Sequence, residues 1–199
     1  MHIARRRLTL PACAAALAVA AGLGMASSAQ AAQVPASQAI CPAVPVSQPF
    51  APWGDPASYE LTPGGDFESS AWMLQGGAQR VPGSEPYAAT GSLGVWALSL
   101  PVGAEAISPL ICLQGDDRSL RFFIAGAGSV LVQVVDDGVT IPLGIAAARG
   151  SWQPGPTIGT GSEILAPISG GAAHVSLRLT ALSGQPRVDD VFLDPWSRG

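Results

Sequence analysis

Val130-Leu131-Val132-Gln133-Val134-Val135, then Asp136-Asp137-Gly138, then Val139-Thr140-Ile141-Pro142-Leu143-Gly144-Ile145 sets two β-branched runs either side of an Asp-Gly pair. Asp-Gly between such runs is a hairpin signal, because tight hairpin turns need backbone with positive φ and both residues tolerate it. Working outward, the same punctuation recurs: short apolar runs separated by Gly, Pro, Asp and Ser clusters. It predicts strands at Ala71–Gln75, Leu93–Leu100, Ile107–Leu113, Ser119–Ala125, Ile164–Ile168, Ala173–Leu182 and Arg187–Leu193. No segment carries a sustained helical period with a cap, although Ile145–Arg149 suits a turn. Many short strands without helices for parallel crossovers point to an all-β fold, an antiparallel β-sandwich of jelly-roll type. Alternation agrees. Leu120, Phe122 and Ile124 share one face and Arg121 and Phe123 the other; Val175, Leu177 and Leu179 point in, while His174, Ser176, Arg178 and Thr180 point to water.

The flanks read differently. Arg5-Arg6-Arg7, an apolar run over Leu8–Ala26 and Ala29-Gln30-Ala31 form an export signal over residues 1–31. The arginines fit the twin-arginine route only loosely, so either export pathway stays open. Cys13 lies inside the apolar run, too early for a lipid-attachment site. Residues 32–58 hold six prolines (Pro35, Pro42, Pro45, Pro49, Pro52, Pro56), which rule out a helix or a central strand and leave an extended leader. Its first residues are expected to be disordered, its end pinned by Cys41, and Phe50 and Trp53 free to pack on the domain at 59–199.

The sequence has 199 residues, 48% of them apolar, with no Lys and no Asn, a bias that hints at a G+C-rich bacterial source. Lacking Lys, it has no P-loop or Schiff-base chemistry. After the signal, seven arginines face fourteen carboxylates, a charge of −7 that repels phosphate backbones and anionic lipid. Nucleic acid is therefore excluded as a partner. No later stretch approaches the ~20 apolar residues of a membrane span, and a secreted, extracytoplasmic location follows. There Cys41 and Cys112 are expected to form a disulfide, worth on the order of 4 kcal/mol for so long a loop. A zinc or redox site is the weaker reading, since C-x-x-C is absent and His174 is the one histidine after the signal.

Two segments carry a resemblance. Leu61-Thr62-Pro63-Gly64-Gly65-Asp66-Phe67-Glu68-Ser69-Ser70-Ala71-Trp72 and Val188-Asp189-Asp190-Val191-Phe192-Leu193-Asp194-Pro195 together resemble the opening and closing strands of galactose-binding-like β-sandwiches, the fold of several non-catalytic carbohydrate-binding modules. The stretch Ser92–Cys112 is similar to secreted actinobacterial proteins. The resemblance spans about Tyr59–Trp196. It implies that first and last strands lie close and hold a structural calcium, for which Asp66, Glu68, Asp189 and Asp190 offer carboxylates. Neighbouring Asp189 and Asp190 would point to opposite faces of a strand, so at most one would reach the ion. Solvated turn and strand-end acids are the plain alternative.

Sugar recognition needs flat aromatics and planar polar groups. Trp72 and Trp96 fall at core positions. Trp53 and Trp152 sit among Pro and Gly and are the ligand-binding candidates, with packing over the sandwich end as the alternative; Trp196 lies at the chain's end. If their strands are neighbours, Arg121, Gln133 and Arg178, with His174 and Phe123, would line a shallow groove; a plainly solvated face is the rival reading. Catalytic motifs such as G-x-S-x-G and H-E-x-x-H are absent. A carboxylate-pair glycosidase needs no motif, but short loops leave little room for a cleft. The expectation is a non-enzymatic, polysaccharide- or cell-surface-glycan-binding protein; the alternative is a structural or adhesion domain of the envelope that binds another protein.

Overall fold

The structure is a computed structural model that describes residues 41–195. The signal segment, the first residues of the leader and Trp196 lie outside the described residues. In chain order the elements are β1 (Val46–Ser47), a short 3₁₀ turn (Ala51–Trp53), β2 (Tyr59–Leu61), β3 (Met73–Gln75), β4 (Gln79–Pro82), β5 (Trp96–Ser99), β6 (Glu105–Ile107) and β7 (Ile111–Gln114). Then come β8 (Asp117–Asp136), β9 (Val139–Pro154), β10 (Ile158–Gly159), α1 (Ser162–Ile168) and β11 (Ala172–Pro195).

β11 is the spine. One of its edges pairs antiparallel with β8 from Ser176↔Val135 to Pro195↔Asp117. Short antiparallel strands line its other side in turn: β7 at Ala172–Val175, β6 at Arg178–Thr180, β5 at Arg187–Val188 and β2 at Phe192–Leu193. β9 flanks β8, and the hairpin between them turns at Asp137 (φ 44°) and Gly138 (φ 82°), the positive pair that the Asp-Gly signal implies. Two segment pairs expected as separate strands are therefore single bent ones: Ser119–Ala125 continues into Val130–Val135, and Ala173–Leu182 into Arg187–Leu193. The bend lies where Gly126 and Gly128 face Pro186 and Gly184, with a register shift between Ala181 and Ser183. It curls the sheet round a single core that takes Leu120, Phe122 and Ile124 from one half of β8 and Val130, Val132 and Val134 from the other. The chain is an all-β antiparallel sandwich.

Three local expectations need correction. Ile107–Leu113 is not one strand but the end of β6 and most of β7, broken at Ser108, Pro109 and Leu110, where Pro109 interrupts the run. Ile164–Ile168 is not a strand but most of α1; a short apolar run suits either state. Here Ile164 and Leu165 amides donate to the Gly161 carbonyl, and Leu165 leans on the core. Ile145–Arg149 is not a turn but the middle of β9, held in the ladder against Leu131–Ala127.

The described part of the leader, residues 41–58, belongs to the fold. β1 pairs with β2 through Val46↔Glu60, and the fully buried Phe50 packs on the outer side of the β8–β11 ladder with Tyr59, Phe123 and Phe192. The alternation of Arg121 and Phe123 away from the main core is as expected, but Phe123 is not wet, because the leader roofs it. Cys41 and Cys112 are bonded, with Cα atoms 5.6 Å apart and a separation of 71 residues. Cys41→Ser with Cys112→Ser is expected to cost about 4 kcal/mol in denaturant unfolding under oxidising conditions. An unchanged midpoint would mean that the unfolded chain is already compact enough to make the tether redundant.

Candidate functional site

The leader's roof is an aromatic cluster with one wet side. Phe50 stacks on Phe123 at 5.1 Å and meets Tyr59 and Phe192 edge-on at 5.0 and 5.7 Å. Trp53 follows on the 3₁₀ turn, which Pro52 favours, and stands edge-on to Phe123 at 5.4 Å and to Tyr87 at 4.8 Å. Tyr87 leans on Phe123 at 5.5 Å, and its hydroxyl donates to the Trp152 carbonyl at 2.6 Å. Trp53 and Tyr87 are 38% and 43% exposed, so these two rings form the open surface, and half-buried Trp152 borders it.

Arginines brace the cluster. The Arg121 guanidinium lies 4.6 Å from the Phe50 ring centroid, pairs with Asp55 at 2.7 Å and donates through Nε to the Gly155 carbonyl. Burial pushes the Asp55 carboxyl up, but hydrogen bonds from the Tyr59 hydroxyl, the Ala57 amide and Arg121 outweigh it and hold the group below its ordinary value. The Arg187 guanidinium lies 5.4 Å from the Trp152 ring and donates to the Pro82 and Gly83 carbonyls.

Thus Trp53, Trp152 and Arg121 are brought together. His174 and Arg178 are not with them. His174 pairs with Cys112 and lines a separate, largely apolar cavity of about 480 Å³ beside the disulfide. Arg178 is flanked by Gln133 and Ile107, with Nε 3.9 Å from Glu105. Gln133 and Arg178 are neighbours as supposed, but on the other half of the bent ladder from Arg121. Tyr87 and Arg187 escaped the sequence reading. Tyr87 lies in Gly83-Ser84-Glu85-Pro86-Tyr87, the same Pro/Gly context that marked Trp53 and Trp152. Trp72 is buried in the core, while Trp96 is only half-buried, with the Arg80 guanidinium 4.9 Å from its ring.

The first and last strands do lie close: Thr62 and Gly65 exchange hydrogen bonds with Val191. Beside them Asp189 and Asp190 are both buried. They do not split across a regular strand, because the ladder slips between Asp189 and Phe192 and Asp190 takes φ 49°. Asp189 accepts from the Ser84 hydroxyl, the Glu85 amide and the Asp190 amide. Buried Glu85 accepts from the Tyr87 and Ala89 amides, and Glu68 from those of Val95 and Trp96. Burial raises the Asp189 carboxyl to about 7 despite those hydrogen bonds. Burial, together with Asp189, Glu85 and Asp66, raises Asp190 to about 9. Among the described residues no three Asp, Glu, His or Cys side chains stand as a ready ligand set. The oxygen donors are nevertheless of the type calcium takes, and their charge has no cationic partner in the hydrogen bonds and ion pairs above.

No protein-family model matches the sequence, and no curated protein matches it. Among solved structures the chain is similar to the C-terminal CBM6 of the laminarinase LamC from Zobellia galactanivorans, at 14% identity and TM-score 0.43, covering 63% of this chain and 93% of that one. It is also similar to CsCBM6-3 from Clostridium stercorarium in complex with cellobiose, at 19% identity and TM-score 0.42, covering 61% and 86%. A third is TmCBM61 in complex with β-1,4-galactotriose, at 15% identity and TM-score 0.41, covering 67% and 96%.

Proposed function

We propose that this chain is a secreted, non-catalytic carbohydrate-binding protein whose ligand stacks on Trp53 and Tyr87 beside Trp152. The observation that carries the reading is convergence. Two tryptophans from Pro/Gly-rich segments far apart in sequence meet one exposed tyrosine on a single braced cluster. The rigid backing of Phe50 and Phe123 holds the rings in place before any ligand arrives, which lowers the ordering cost of binding. Aromatic faces match the C–H face of a sugar, while the Tyr87 hydroxyl oxygen can still accept from one of its hydroxyls. The disulfide is in keeping with an oxidising, extracytoplasmic setting.

Pull-down on insoluble polysaccharides, a glycan array and calorimetry test the reading. Trp53→Ala is expected to weaken binding about 10–100-fold, as for an aromatic hot spot, with Trp152→Ala also impaired. Exposed Met73→Ala, on the other half of the sheet, serves as the control and is expected to bind normally. Silence on every glycan, with a cell-surface protein recovered instead, would establish the adhesion alternative. Turnover in a glycosidase screen would overturn the non-catalytic assignment.

As part of the same proposal, Asp66, Asp189 and Asp190, with Glu85 alongside, take a structural calcium ion that would supply the missing positive charge. Glu68, held by two backbone amides, supports the loop that bears them.

A further inference from the structure

We infer that the glycan this site takes is acidic, and that Arg149 reads its carboxylate or sulfate; the inference rests on the carbohydrate reading above. It starts from how the arginines are placed. In a chain without Lys, Arg121 and Arg187 both brace the segment Trp152–Pro156. Arg149 is three residues before Trp152. The β8–β9 ladder slips between Ile124 and Gly126, opposite the stretch from Gly150 to Gln153, and the bulge brings Arg149 and Gln153 to one cavity of about 400 Å³. The far wall of that cavity is Pro154 and Gly155. Gly155 accepts from Arg121, and Pro154 is paired with Phe123, so cavity and aromatic cluster share this wall.

The three guanidinium groups are not equivalent. Arg121 is committed to Asp55 and Gly155, and Arg187 to the Pro82 and Gly83 carbonyls. Arg80 is likewise committed to the Phe67 and Glu68 carbonyls, and Arg178 faces Glu105. Arg149 is exposed, and among the described residues no hydrogen bond or ion pair engages its guanidinium. A guanidinium is a rigid fork that matches carboxylate and sulfate oxygens two at a time. Beside it Gln153 offers an amide for hydroxyls, and Ile145, Ala147 and Pro156 an apolar floor for a sugar's C–H face. The volume lies within the ~300–1,000 Å³ of small-molecule sites. A neutral sugar would leave this arginine with nothing to neutralise, whereas an acidic residue next to the one stacked on the aromatic rings would use it. In a chain of net negative charge, such an anion is drawn to this exposed guanidinium.

Calorimetry of the full chain against three oligosaccharides tests the assignment: neutral galacto-oligosaccharide, oligogalacturonate and a sulfated galacto-oligosaccharide. The expected result is tighter binding of at least one acidic ligand, falling as salt rises, with the better of the two identifying carboxylate or sulfate. Arg149→Gln is expected to weaken that ligand at least 10-fold and leave the neutral one within 2-fold, with an unchanged melting temperature. Gln153→Ala provides a second, independent variant expected to weaken the acidic ligand. Neutral binding without acidic preference, or an acidic preference that survives Arg149→Gln, overturns this inference and leaves the carbohydrate reading standing. Binding of none of the three overturns this inference, while the carbohydrate reading stands or falls on the wider glycan array.

Discussion

Gly128→Ala and Gly184→Ala are each expected to lower stability by about 4 kcal/mol, and with it the melting temperature by roughly 8–16 °C. These glycines face one another where β8 and β11 bend together. A methyl on Gly128 would be driven into the Ser183 carbonyl and come within 2.9 Å of the Gly184 Cα; one on Gly184 would be driven into the Ala127 carbonyl. Both obstacles are backbone of a hydrogen-bonded ladder, so neither can swing aside as a side chain would. Both residues also have positive φ, 116° and 63°. Gly91, with φ 97° and open space around its hydrogen, separates the two effects. Gly91→Ala carries only the conformational cost, about 1–2 kcal/mol. If Gly128→Ala melts no lower than Gly91→Ala, the close approach of the strands is not what holds the bend. Because the bend wraps both strands round one core, its loss is expected to unfold the chain in one step rather than loosen one half.

That bend also shows what a one-dimensional reading misses. The hairpin at Asp137-Gly138 is local: two residues with the right φ between two β-branched runs determine it. Gly126-Ala127-Gly128 and Ser183-Gly184-Gln185 carry the same turn composition, yet the chain does not reverse there, because each segment finds the other across the ladder. Turn residues report permissive backbone; whether it is used for a reversal or a bend depends on a partner more than 50 positions away. The same distinction separates the site residues. Trp53 was legible because Pro and Gly neighbours keep an aromatic off a regular strand, and Tyr87 satisfied that criterion too; Trp152 lies within β9, at the slip of its ladder between Ile124 and Gly126. Alternation assigned Arg121, Arg178 and His174 correctly to faces, but a face says nothing about position along a strand. β11 is 24 residues long, so at ~3.3 Å per residue its ends lie far apart on the same face. Roofing of Phe123 by the leader was legible only as the availability of Phe50 and Trp53, since proline spacing shows that a segment is extended without showing what it covers.

The acidic corner yields the other large effect. In chelator, stability is expected to fall by at least about 3 kcal/mol between about pH 5.5 and pH 8, the opposite of the acid lability usual for proteins. The sign follows from proton counting. Asp189 and Asp190 have raised values in the fold, about 7 and about 9 against an ordinary 3.8, so between these limits the folded chain holds protons that the unfolded chain has released. Stability is therefore greatest at low pH and is lost as pH climbs, by ~1.4 kcal/mol per pH unit for each proton retained. Asp190 alone, keeping its proton over that interval, gives the stated loss, and Asp189 adds to it below about pH 7. Asp55 works in the other direction: its lowered value contributes stability that is lost only as pH falls below the ordinary 3.8, so these three groups together place the optimum near the ordinary carboxylate range rather than at neutrality. Calcium should reverse the trend. An ion bound only by the folded state adds ~2.7 kcal/mol at a hundredfold excess over its dissociation constant, and it binds the carboxylates best once they have lost their protons. Thermal melts across pH, with calcium or with chelator, therefore test both halves. Asp190→Asn keeps the shape without the charge; it is expected to flatten the pH slope in chelator and to lose the calcium response. A pH slope with no calcium response would show that protons alone balance this corner, and the calcium proposal would fall. A flat profile in chelator would mean that Asp189 and Asp190 are ionised in the fold and better hydrated than their burial implies.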